Sequence, residues 1–139
     1  MNKQQYLFDS NAIYRLIREA PEKALEKLNE GTTIYLAYYE LGNALWRECH
    51  LLKRISVEEA EKSLDLMYMM LLHMQVATVK NGNEVLSTAN EFNLTFYDSA
   101  YLVEAKQNNR ILVTDDTKLA NTATTLGVAT IPSSTLINS

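Results

Sequence analysis

Short apolar runs alternate along the chain with segments of 3.6-residue period, the rhythm of a parallel α/β fold. The first run, Tyr6 to Phe8, leads into an amphipathic stretch carrying Ile13, Leu16 and Ile17, which stops near Pro21 because proline lacks the N–H a helix interior needs. A second helix follows from Pro21 and is expected to end at Gly31. Residues 32–37, TTIYLA, are β-branched and apolar and predict a second strand, after which helical spacing returns over residues 38–52. Ser56 and Glu59 stand at capping-box spacing and open a long helix over residues 57–74. A third strand is expected at residues 76–79 and helices over residues 81–92 and 98–107, with an extended link, LTFY, before Asp98. A fourth strand over residues 110–114, a helix from about Asp116 to Leu126 and a last strand at residues 128–131 complete the reading.

Composition adds limits rather than elements. A chain of 139 residues with 47% hydrophobic content suits one core-forming domain over residues 1–139, and no Gly-, Ser- or Pro-rich tract marks a linker. Cys49 has no second cysteine to pair with, and the first residues lack the apolar core of a signal peptide, so a cytoplasmic location is expected. No run is long and apolar enough to predict a membrane span.

Acidic residues gather where strands hand over to helices. Asp9 ends the first strand, Asp115 and Asp116 end the fourth, and Asp98 opens a helix. Ligands of open α/β sheets collect at the carboxyl ends of parallel strands. Each aspartate taken singly reads as a helix N-cap, since its oxygen accepts from free N–H groups and its charge suits the helix dipole. Glu40 has no such reading: it lies inside a helix, with Ala37, Asn43 and Ala44 three and four residues away on a small-residue face. Taken together, the acids form a carboxylate cluster, which is repulsive without a cation in it. Oxygen-only ligands suit Mg²⁺ or Mn²⁺, whereas His50, His73 and one cysteine make a poor zinc set.

The segments FDSNAIYRLI with Asp9, AYYELGNALWRE with Glu40, FYDSAYLVEA with Asp98 and ILVTDDTKLA with Thr114-x-Asp116 resemble, in order, the four acidic motifs of PIN-domain ribonucleases. The resemblance is closest to the VapC toxins of VapBC toxin–antitoxin pairs. It implies a three-layer α/β/α sandwich around a parallel sheet, and a metal-dependent endoribonuclease acting on RNA to leave 5′-phosphate and 3′-hydroxyl ends. It further implies a homodimer and a small VapB-like antitoxin partner. On the matching positions, Asp9, Glu40, Asp98 and Asp116 would be the catalytic metal holders. Ser10, Asn11 and Thr114 would orient ligands or metal waters, and Asp115 would serve as an N-cap or auxiliary charge.

The net charge of −4 speaks against nucleic acid until the acids are placed, because setting aside Asp9, Glu40, Asp98, Asp115 and Asp116 leaves +1. Arg15, Arg18, Arg47, Lys106 and Arg110 are then the candidate phosphate contacts, against the ordinary reading of solvated helix faces. The Met67 to Met74 stretch is apolar on nearly every helical face and calls for a second buried surface, in a dimer or under a partner. Trp46 reads as core or interface rather than a base-stacking platform, Cys49 as inert packing, and His73 as a buried histidine. A haloacid-dehalogenase phosphatase reads poorly because Asn11 stands where that class has a second aspartate, and a receiver domain would want an early acid pair and a lysine after the last strand, where ATIPSS supplies none. An RNA-processing nuclease that is not a toxin, and a PIN-like module that binds without cutting, remain the alternatives.

Overall fold

The computed structural model describes residues 5–139. Among these, β1 (Tyr6–Phe8), β2 (Thr32–Ile34), β3 (Gln75–Ala77), β4 (Ile111–Val113) and β5 (Thr130–Ile131) form one sheet in the order β3-β2-β1-β4-β5, every pair parallel. The register sets Leu7 beside Thr32 on one side and Leu112 on the other. Alternation along β1 then decides which layer each side chain serves. Tyr6 and Phe8 join a core with α1 (Ser10–Glu19), α2 (Pro21–Leu28), α3 (Leu36–Trp46), α4 (Val57–Leu71) and α8 (Ser133–Ile137). Leu7 joins a second core with α5 (Gly82–Phe92), α6 (Phe96–Gln107) and α7 (Thr117–Thr125). The result is a three-layer α/β/α sandwich whose central strands are buried on both faces, as parallel sheets require.

Strand order reverses at β1. The chain proceeds outward through β2 and β3 with its helices on one face, then returns across the sheet to β4 and β5 with helices on the other. Such a reversal leaves a crevice beyond the carboxyl ends of β1 and β4. Asp9 stands at its edge, its N–H donating to the Val113 carbonyl at 3.1 Å.

Several boundaries differ from the sequence reading. The second strand ends at Ile34, and Leu36 already begins α3, because Ala37, Leu41 and Leu45 form a buried helical stripe. Only the Tyr35 N–H continues the ladder, donating to the Ala77 carbonyl. α6 begins at Phe96, so most of LTFY is not an extended link: Thr95 is its N-cap and Asp98 lies in its first turn. α4 stops at Leu71, short of Met74, and the helix before it ends in a π-helical turn at Arg47–Leu51. Gly31 does not terminate α2 through a left-handed backbone, a conformation taken instead by Glu30. Its lack of a side chain serves close approach, since a Cβ there would lie 2.7 Å from the Phe8 ring.

The apolar α4 is divided. Met67, Met70 and Leu71 enter the core, while Met69 on the same helix and Leu72 just beyond it are exposed. Trp46 is about half exposed and stacks on His50 rather than entering the core, and His73 is exposed rather than buried. No helix among the described residues is long and apolar enough to cross a membrane.

Candidate active site

Four elements bring Asp9, Glu40, Asp98 and Asp116 to the lining of one pocket in the crevice. Asp9 follows β1 and caps α1: its Oδ1 accepts from the Ala12 N–H at 2.8 Å, and Thr114 at the end of β4 supplies a hydroxyl bond. It is 6% exposed. Desolvation by that burial, assisted by the charges of Asp115 and Asp98, outweighs both hydrogen bonds and raises its carboxyl to a pKa of about 6. The Asp98 carboxyl is also raised, first by burial and then by the Asp116 charge, despite Lys118 nearby.

Glu40 occupies a helix interior because its neighbours at Ala37 and Leu41 bind α3 to the core while the adjoining row, with Asn43 and Ala44, faces the pocket. Its Oε1 accepts from the Ser10 hydroxyl at 3.0 Å and from the Tyr101 hydroxyl at 2.8 Å. Asn11, beside Ser10, lines the pocket as well.

The two adjacent aspartates after β4 diverge. Asp116 lines the pocket and is the N-cap of α7, its Oδ1 accepting from the Leu119 N–H at 2.9 Å, while its own N–H donates to Thr114 Oγ1 at 3.1 Å. Asp115 turns toward α8, where it accepts from the Ser133 N–H at 2.8 Å and the Ser133 hydroxyl at 2.7 Å, with Arg15 at 3.3 Å. The N-cap assigned to Asp115 from sequence therefore belongs to Asp116, because the extended backbone of Asp116 immediately precedes the helix.

Of the candidate cations, Arg47 lines the pocket. Arg15 is held by Glu19 and Asp115, Arg18 by Ser63 and the Tyr14 ring, and Lys106 by Glu84, while Arg110 lines a different depression. Tyr101 and Glu48 also line the pocket and were not foreseen. Tyr101 follows Asp98 by three residues, a spacing that puts both on one side of α6 and was the available signal.

Among the described residues, Asp9, Glu40, Asp98 and Asp116 enter no ion pair. Nor do three acidic, histidine or cysteine side chains converge as a ready-made metal cage. This donor set fits a small hard cation that takes one or two carboxylates directly and keeps several waters, and it does not fit zinc.

A model of the PIN domain family matches residues 6–124, a span containing all four carboxylates, and the chain belongs to that family. Within it the chain is VapC-like: it is 34% identical over 128 residues to Exonuclease VapC9 of Pyrobaculum aerophilum, an alignment covering 91% of this chain and 92% of that protein. The crystal structure of PAE2754 from Pyrobaculum aerophilum matches the fold with a TM-score of 0.81 at 28% identity, over 96% of this chain and 93% of the other.

Proposed function

We propose that this PIN domain is a divalent-metal-dependent endoribonuclease and the toxin of a toxin–antitoxin pair. The observation that carries the reading is that four carboxylates from four separate elements, none in an ion pair among the described residues, line one pocket in the switch-point crevice of a family nuclease fold. Water attacks a phosphodiester poorly, because the anion repels the nucleophile and the alkoxide leaves reluctantly. Bound Mg²⁺ or Mn²⁺ supplies Lewis acidity for both difficulties.

The chain's own residues then divide the remaining work. Asp9, Glu40, Asp98 and Asp116 hold the cation and, before it arrives, store repulsion that its binding relieves. Ser10 fixes the Glu40 carboxylate, and Thr114 fixes Asp9 while accepting from the Asp116 backbone. Arg47, without an ion-pair partner among the described residues, is suited to a substrate phosphate beside the cut. Exposed Met69 and Leu72 support a covering surface from a second copy or from a VapB-like antitoxin. A reduced Cys49 is consistent with a cytoplasmic home.

The relative carries the name exonuclease, so the assay must separate the two modes. Purified, partner-free protein is incubated with linear and covalently circular RNA in Mg²⁺, Mn²⁺ or excess EDTA. Cleavage of the circle in either metal, and none in EDTA, is expected. Undiminished cutting in EDTA would overturn the metal reading, cutting of linear RNA alone would overturn the endonuclease assignment, and binding of both RNAs without cleavage would favour the non-cutting module.

A further inference from the structure

We infer that Tyr101 is a positioning residue for Glu40: its hydroxyl, with that of Ser10, occupies one carboxylate oxygen and leaves the other as the oxygen offered to a cation. The inference rests on the metal-nuclease reading and extends it to a residue that is not one of the four carboxylates, although it stands in the same segment as Asp98. Both donors meet the same atom, Oε1, at 2.8 Å from Tyr101 and 3.0 Å from Ser10. Among the described residues, no hydrogen bond to Oε2 accompanies them. A glutamate has three rotatable bonds, and on a helix at a pocket's edge it would sample several orientations. Two donors on one oxygen remove most of that freedom and fix the plane of the carboxylate.

Tyr101 is suited to the task by rigidity. It is 1% exposed, packed among Leu102, Val103, Ala105 and the β1 and β4 side chains, and its phenol ring has only two torsions to fix. Burial and the neighbouring Glu40 charge push its hydroxyl well above the ordinary phenol range, so it remains a donor at every working pH. Because Tyr101 shares α6 with Asp98, the contact also couples two of the four acids: the helix that presents one carboxylate aims the other. Ser10 does the same from α1, next to Asp9.

Tyr101→Phe removes one oxygen and keeps the packed ring, so the fold should persist. The test titrates Mn²⁺ into the full-length, partner-free protein by calorimetry, for wild type, Y101F, E40Q and the double variant. Outer partners of metal ligands typically set affinity by about tenfold or more, and a loss of that size is expected for Y101F. In the E40Q background the same substitution should change affinity by less than about twofold, because its effect runs through Glu40. In cleavage assays, raised Mn²⁺ should restore most of the Y101F rate, as a loss confined to metal affinity requires. Wild-type affinity in Y101F overturns the inference alone, as does a loss that persists undiminished beside E40Q or that excess Mn²⁺ fails to rescue in a folded variant. Failure of the wild type itself to bind Mn²⁺ overturns the metal reading and this inference with it.

Discussion

The carboxyl ends of β1 and β4 lie side by side, yet they treat their aspartates in opposite ways. At the end of β1 a single carboxylate is buried, capped onto α1, and given no cation among the described residues. At the end of β4 two carboxylates share the turn. Asp116 faces the pocket, while Asp115 is satisfied by two bonds from Ser133 and by Arg15. The difference separates a charge that holds no ion pair among the described residues from a charge already used to hold the chain together. Proximity in sequence says little about which is which: the contacts decide.

The largest test of that contrast is catalytic. Asp9→Asn and Asp116→Asn are each expected to lower metal-dependent cleavage by about a thousandfold or more, roughly the several kcal/mol of charge stabilisation a correctly held metal contributes. Asp115→Asn is expected to keep substantial activity. Rates of the three variants at saturating Mg²⁺ check the ranking, and an Asp115 variant as inactive as the other two would erase the distinction.

A smaller effect concerns stability, and here the signs differ between the two strand ends. The Asp9 carboxyl has a folded pKa of about 6 against an ordinary value of 3.8, so between those limits the native state binds more protons than the unfolded chain. Stability of the metal-free protein therefore falls as pH rises through that window, and the full penalty, roughly 2–3 kcal/mol, is present above it. Asp9→Asn should relieve this penalty near neutral pH and have little effect near pH 4, since asparagine is also a good N-cap. Urea denaturation in EDTA at the two pH values measures it. A neutral-pH stability unchanged or lowered by the substitution would contradict the account.

At the end of β4 the same chemical change should act in the other direction. Asp115→Asn weakens the bonds to Ser133 and the partly exposed pair with Arg15, and a loss of about 1–2 kcal/mol is expected, offset in part because Asp115 also raises Asp9. Denaturation midpoints of the single and double variants resolve the two contributions.

Much of this arrangement is legible before any coordinates. The alternation of apolar runs with helical periods predicts the layers, and Asp9, Glu40, Asp98 and Asp116 stand out because acids recur at strand ends and at one unaccountable helix-interior position. What escapes is governed by contacts between distant segments. TTIYLA has the composition of a strand, yet Leu36 and Ala37 are helical because Ala37, Leu41 and Leu45 find a buried face. Asp115 and Asp116 are indistinguishable as letters, and their roles depend on Ser133, which arrives with a C-terminal helix too short to announce itself by periodicity. Tyr101 carries no mark of its own in the sequence, and only the contact of its buried hydroxyl with Glu40, sixty-one residues away, sets it apart.

The pairing of β1 with β4 sets Tyr6 beside Ile111 and Phe8 beside Val113, joining segments near opposite ends of the chain. Closing so long a loop is slow, since its entropy is lost before any contact rewards it. During synthesis Asp9, Glu40 and Asp98 emerge first, but the pocket has no Asp116 until β4 is inserted between β1 and β5. A nascent chain therefore carries an unfinished pocket until Asp116 has been made and β4 has docked beside β1.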